Sequence, residues 1–531
     1  MAKFLRAGAM GVVLALTLPV FAIFIELFYV LGQNFLQQDF ATLSTIKENL
    51  NHFFDFLLLK FLKDTFIVSF FVVFMSVFLG VSTAYLMANF HLYQGPILEK
   101  ILILPLAIPA YILAFVYVGI MEFDGFFHEC FGFKINFFNA YGVIFVLSLS
   151  LYPYVYLFAK TAFQTEAREV FELAKIARYS EWKFFCRFAF IIAKPAILAS
   201  AMLVLMETLS DYGASAYLGA DTFSAGIFKL WYDLNDPYSS SVLCAFLMGF
   251  VFILMLAEQL YKRRQKSSFN QDLKTILAKR PLSPWAKIFA SFYCFGVSFL
   301  GFILPFFWLL YWGLRDEKLW QSDFYILAAK SLILASSSAF MIVIIACFLN
   351  FVARISSKNF SLWILKLSSL GYAIPGAAIG ISVMIASIFL GRFIDARFLW
   401  ESFLVLIFAY IVRFLATAIY SFESAYSKIH HQLDTMSLHL RPSYFVLFFK
   451  LHFPLLKHYF ILAFIVVFID CIKELPLSRI LSPFGFETLS VKAFWYANDE
   501  RIYDAALPSL LIVVLSLLSL MLVMRRGDAA H

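Results

Sequence analysis

Charge is scarce in this sequence. Asp, Glu, Lys and Arg make up 14% of its 531 residues, where a soluble domain carries about 25%. A chain so poor in charge does not clothe a water-facing globule, so a soluble domain is excluded. Cysteine is scarce as well. The six residues (Cys130, Cys186, Cys244, Cys294, Cys347, Cys471) are scattered, with no CxxC pair, which argues against a disulfide framework and a zinc site. There is no GxxxxGK[ST] to cradle phosphates and no helical HExxH. No nucleophile–base arrangement stands out either. The chain is therefore not expected to be an enzyme, to bind a cofactor of its own or to meet nucleic acid.

What is abundant is hydrocarbon. The sequence is 62% hydrophobic and 19% aromatic, with a mean hydropathy of +0.84. Apolar runs of about 20 residues recur along its whole length, enough for a helix to cross about 30 Å of bilayer core. Such runs are too long and too uniformly apolar for barrel strands, and backbone groups in lipid need partners within the segment. The fold class predicted is an all-α polytopic membrane protein in a lipid bilayer. About twelve transmembrane helices are expected, near 10–31, 65–88, 101–121, 141–162, 190–210 and 241–261, then near 288–312, 327–352, 362–389, 402–421, 455–474 and 505–524. Lys3 and Arg6 ahead of an apolar run to about Leu31 resemble a signal peptide, but the run exceeds the usual 7–15-residue core. It is read as a retained first span.

One stretch occurs twice. Sliding Glu172–Ser215 onto Thr435–Ser478 superposes Arg178 on Arg441, Ser180 on Ser443, Arg187 on Lys450, Lys194 on Lys457, Glu207 on Asp470, Asp211 on Glu474 and Ser215 on Ser478. AIPAYILA (Ala107–Ala114) likewise matches AIPGAAIG (Ala373–Gly380), and Pro19 and Pro305 both fall within a first span. A repeat this long sets the architecture. Two halves with six spans each face the same way, as parallel repeats about an axis along the membrane normal. The expected division is a first half over 1–261, a polar, basic linker over 262–287 punctuated by Pro281 and Pro284, and a second half over 288–531. The most basic connecting segments, 160–194 and 260–287, fall on one side. By the positive-inside rule that side and both termini are cytoplasmic.

The connections at 163–194 and 422–457 are amphipathic. In the first, Ala174, Ala177, Trp182, Phe185 and Phe188 give short helices one apolar face, with Lys175, Lys183 and Arg187 among them. Such a helix can lie in the membrane interface or dock in a groove of a soluble partner. Two copies at equivalent places favour a two-fold partner. The pattern Glu172, Ala174, Ser180, Trp182, a basic residue and Pro195 resembles the "EAA" loop of ABC importer permeases. Thr435 and Ser437 replace Glu172 and Ala174 in the second copy, and Arg178 and Arg441 stand where the motif has glycine. METLSDYGASAYLGADTFSAGIFKLWY, DCIKELPLSRILSPFGFETLSVKAFWY, LPLAIPAYILAFVYV and GYAIPG are similar to the fused, two-domain permeases for ferric iron. The resemblance implies a multi-pass inner-membrane subunit, a separate ABC ATPase dimer that handles ATP and Mg, and a periplasmic substrate-binding protein. It implies coupling through loops carrying Glu172, Ala174, Arg178, Ser180, Trp182, Arg441 and Ser443, and transport by alternating access.

Glu207 and Asp211 are four residues apart, as are Asp470 and Glu474, which predicts one helix face for each pair. Glu207 lies 13 residues beyond Lys194, about 20 Å along a helix. A carboxylate at that depth costs about 2.5–3.5 kcal/mol, so it should face the bundle interior or water. Two readings stand. The four carboxylates, with Tyr212 and Pro476 beside them, line the translocation path or its outer gate. Alternatively they cap helix ends or pair locally, Lys473 with Glu474 for instance. No metal site is assigned. Glu26 and Arg413 are isolated membrane charges, read as locally paired or interfacial. Hard cations prefer oxygen ligands, which favours metal cargo. Thiamine, polyamine or phosphonate cargo fits the same plan, and a twelve-helix carrier driven by an ion gradient is the rival from another class.

Overall fold

The computed structural model describes residues 2–22, 40–121, 135–165, 185–265, 279–315, 322–394, 402–430, 432–434 and 443–529, with a few single positions besides. The fold is all-α and polytopic. Among the described residues no strand forms, and a lone bridge joins Phe90 to Arg280. Nine of the described helices are long and apolar enough to cross a membrane, and two bent helix pairs raise the number to eleven. The expected first span is seen only as Ala2–Thr17 with a 3-10 turn at Leu18–Phe21.

The repeat is visible element by element. The fifth span of the first half is Phe190–Ser210 and that of the second is Phe453–Lys473, each entered through a π turn, Phe185–Ala189 and Phe448–His452. Short helices follow, Gly213–Tyr217 in one half and Pro476–Leu481 in the other. Beyond these the spacing between equivalent residues grows, because the second half carries three more residues between Ser478 and Thr488 than the first has between Ser215 and Thr222. The next pair of short helices, Phe223–Phe228 and Leu489–Asn498, start alike: Thr222 and Thr488 each cap the first turn through a side-chain oxygen. The backbone N–H of Phe223 donates to Thr65 Oγ1 at 2.9 Å, and that of Leu489 donates to Ser331 Oγ at 2.8 Å. Thus each half ties this outer helix to its own second span, Leu58–Asn89 or Ser322–Arg354, in the same way.

The third spans are not the straight helices that the apolar runs at 101–121 and 362–389 predict. Gly95–Ala107 and Ala110–Met121 meet at 95°, and Asn359–Ala373 and Gly376–Gly391 at 106°. The cause lies in the shared AIP. Pro109 and Pro375 have no N–H for the preceding turn. Each also drives the residue before it out of helical geometry, Ile108 to φ −99°, ψ 120° and Ile374 to φ −87°, ψ 131°. The amphipathic connections are also shorter than 163–194 and 422–457, since helices run to Thr165 and Ser427 and resume at Phe185 and Tyr444.

The halves interlock. The seventh span of the chain, Pro284–Ser298 continuing to Gly313, packs on the first half. Tyr293 and Ser82 share a hydrogen bond of 2.7 Å, and Tyr117 donates to the carbonyl of Leu300 at 2.7 Å. Gly119 is required where Trp312 crosses, since a Cβ there would stand 2.5 Å from the indole. Conversely, Ala2–Thr17 lies against second-half helices, with Arg6 Nε donating to Ser356 Oγ at 3.1 Å. The end of the expected linker is fastened too: His91 N–H donates to the Arg280 carbonyl (2.9 Å) and Arg280 N–H to that of Asn89 (2.8 Å).

Candidate functional site: a polar cavity between the halves

Both carboxylate pairs lie at the end of a fifth span. The helices stop at Ser210 and Lys473, and Asp211 and Glu474 occupy the C-cap positions with extended backbone (ψ 120° and 121°). The expectation of two helix-face pairs is therefore corrected. Glu207 and Asp470 project from the last turn, while Asp211 and Glu474 sit where the chain leaves the helix. All four, with Tyr212 and Pro476, line one cavity of about 200 Å³. Tyr111, Tyr154, Ser150, Ser210, Tyr372, Arg413 and Lys473 complete its polar wall.

Asp211 Oδ2 accepts from Ser215 N–H (2.9 Å) and Ser215 Oγ (3.0 Å), which caps the following short helix. Glu474 does the corresponding work for Leu477 N–H at 3.3 Å and also takes an ion pair, Arg413 Nε to its Oε2 at 3.2 Å. Their side chains are 12% and 6% exposed, so the pair is buried and Arg413 is not an isolated charge. Glu474 pairs with Arg413 rather than with neighbouring Lys473. Capping and cavity lining thus coincide in the same carboxylates.

The two elbows meet the two fifth spans across the cavity. Tyr372, at the second-half elbow, donates to Glu207 Oε1 of the first half at 2.8 Å. Lys473 of the second half donates to the carbonyl of Leu106, the residue that the repeat places opposite Tyr372. Arg479 bonds the Tyr212 hydroxyl and lies over the rings of Tyr212, Phe228 and Phe494. The basic residues belong to one half only. Where the second half has Arg413, Lys473 and Arg479, the repeat gives the first Ser150, Ser210 and Ala216. Asp470 makes no hydrogen bond or ion pair among the described residues. Nor does any group of three or more His, Cys, Asp and Glu there gather closely enough to hold a metal ion.

Of the coupling-loop residues, Ser443 is described: it caps Tyr444–Leu447, accepting from Val446 N–H at 3.3 Å. Glu172, Ala174, Arg178, Ser180, Trp182 and Arg441 lie outside the described residues. Tyr154, Tyr372 and Lys473 complete the cavity without having been singled out for it from the sequence. The signal for Tyr372 is its place in GYAIPG, beside a proline that breaks a span.

The chain is a polytopic bundle of two repeats with a polar cavity held between them. Residues 76–267 match the family described as binding-protein-dependent transport system inner membrane component. The chain is also 25% identical over 469 residues, 86% of its length and 87% of the relative's, to the Fe(3+)-transport system permease protein FbpB 2 of Haemophilus influenzae. Over these stretches the chain is similar to the permease subunits of binding-protein-dependent importers.

Proposed function

We propose that this chain is the membrane subunit of an ATP-driven importer for ferric iron. The observation that carries the reading is the likeness, along 86% of the chain, to a protein named for Fe(3+) transport. A cavity walled by four carboxylates and several phenols supports it, since hard cations take oxygen ligands. In this reading one chain supplies both halves, 1–261 and 288–531, joined by 262–287, with both termini cytoplasmic in a bacterial inner membrane. A periplasmic binding protein delivers the ion. An ABC ATPase dimer, which holds ATP and Mg, engages the loops around Ser180 and Ser443. Nucleotide binding then rocks the halves about the cavity lined by Glu207, Asp211, Tyr212, Asp470, Glu474 and Pro476. The ion passes the carboxylates without lodging among them, as befits a site that must release what it binds.

The test is uptake of radiolabelled ferric iron by iron-starved cells with and without the gene, with radiolabelled thiamine alongside. Loss of iron uptake alone is expected. Unchanged iron uptake with lost thiamine uptake would keep the importer and overturn the cargo.

A further inference from the structure

At the end of the second half away from the cavity, four elements are pinned by buried charge. Arg354 is the last residue of the helix Ser322–Arg354. Its Nε donates to Asp434 Oδ2 at 2.6 Å, its Nη2 to the carbonyl of Ile429 at 2.8 Å and its Nη1 to that of Tyr426 at 3.4 Å. The guanidinium thus satisfies carbonyls at the C-terminal end of Phe403–Ser427, where a cation is favoured. The other oxygen of Asp434 faces His452 Nε2 at 3.4 Å. Asp434 is 4% and His452 0% exposed, and the imidazole is packed between the rings of Phe351 and Tyr426. Asp434 belongs to the second amphipathic connection. His452 is the N-cap of Phe453–Lys473, whose C-cap is Glu474.

The same two helices are tied again at the cavity, because Arg413 of Phe403–Ser427 pairs with Glu474. Phe403–Ser427 and Phe453–Lys473 are therefore linked at both ends of a helix of 21 residues, about 32 Å long: by the Arg413–Glu474 ion pair at the cavity, and at the other end through Arg354, which bonds the Tyr426 carbonyl and Asp434, and through the contact of Asp434 with His452. The first half has the aromatic part of this corner, while its sequence carries no charged residue at the four matching positions. Tyr85 packs on Phe163 and Phe185 as Phe351 packs on its own neighbours. The residues that the repeat sets against Arg354, Asp434, His452 and Arg413 are Ala88, Phe171, Ala189 and Ser150.

We propose that Asp434 is a positioning residue for transport: its clasp with Arg354 makes the second connection, Phe403–Ser427 and Phe453–Lys473 one rigid lever, which carries motion from the connection to the carboxylates at the cavity. The first half, which lacks these residues at the matching positions, follows. This rests on the importer reading above, in which an ATPase engages that connection.

The experiment uses the full chain with its co-purifying ATPase and its binding protein in proteoliposomes, measuring ATP hydrolysed per iron taken up. In Asp434→Asn, hydrolysis persists while uptake falls, raising that ratio by about tenfold, a size typical of coupling between sites. Asp434→Glu, which keeps the charge, restores much of the coupling. Because Asp434→Asn leaves a buried guanidinium without its counter-charge, a second variant, Arg354→Met with Asp434→Asn, removes both charges together and should be uncoupled likewise. An unchanged ratio in a correctly assembled double variant overturns the lever, as does a proportional fall of hydrolysis and uptake. Failure of any ATPase to co-purify with the unaltered chain would overturn the importer reading instead.

Discussion

Arg413 and Glu474 show how single residues carry this fold. A charge in the span interior is costly, and these two offset each other at 3.2 Å while Glu474 also caps the next helix. Close packing sets limits nearby. A Cβ on Gly376 would stand 2.9 Å from both Arg413 Nη1 and Glu474 Oε1, and one on Gly371 would overlap the carbonyl oxygen of Val412. Backbone does not yield as a flexible side chain does. Gly371→Ala is therefore expected to cost about 1–3 kcal/mol, the usual range for overpacking. Gly249 has nothing within 4 Å of its would-be Cβ. In the helix Pro237–Gln265, Gly249→Ala should be neutral or stabilising by about 0.5–1 kcal/mol. Thermal unfolding of both variants in detergent checks the pair. A similar Tm for the two would mean that the elbow tolerates what its geometry forbids.

At the scale of elements, the two elbows and the two fifth spans form the functional unit, and each elbow is bonded to the fifth span of the other half. Tyr372→Phe deletes the donor to Glu207 Oε1, and Lys473→Met deletes the donor to the Leu106 carbonyl. If these bonds hold the halves together across the cavity in one conformation only, their loss shifts the balance between conformations. Each bond involves a charged group, the Glu207 carboxylate in one and the Lys473 ammonium in the other, and such a bond contributes about 1.5–3 kcal/mol. Each variant should then lower iron uptake, and by a similar factor, at normal expression. Equal, wild-type uptake in both would leave these contacts without a part in transport. Much of this unit is legible in the sequence. The repeat appears because charge is rare in spans, so Glu207 and Asp470 stand out at matching places, and the AIP pair marks both third spans. The breaks at Pro109 and Pro375 are not legible, since membrane helices tolerate proline when neighbours satisfy the freed groups. Arg354, Asp434 and His452 are not legible either. They lie at helix ends, where charge is ordinary, and only folding brings residues 80 and 18 positions apart into contact.

The whole molecule is two halves that exchange their first spans. Residues up to Thr17 lie on the second half, and Pro284–Gly313 lies on the first, held through Tyr293, Leu300 and Trp312. Association in lipid depends on packing and internal hydrogen bonds rather than on a hydrophobic drive between helices, and here each half lends the other a helix that it cannot otherwise cover. The covalent link is then less important than the exchange. The polar stretch between Gln265 and Lys279 should accept a break, because its polar, basic composition is that of a connection, whereas Arg280 is engaged by the backbone of Asn89 and His91. Cells making residues 1–270 and 271–531 as separate chains should yield both in one complex and retain iron uptake. Either fragment alone should be degraded, its own first span having no partner surface to lie on. A cut moved past Arg280, between 283 and 284, should assemble less well. It strands the 89–91 contact on the first fragment and frees the start of the span that packs there. Stable accumulation of either fragment alone, found by immunoblot of membranes, would mean that each half folds without the other.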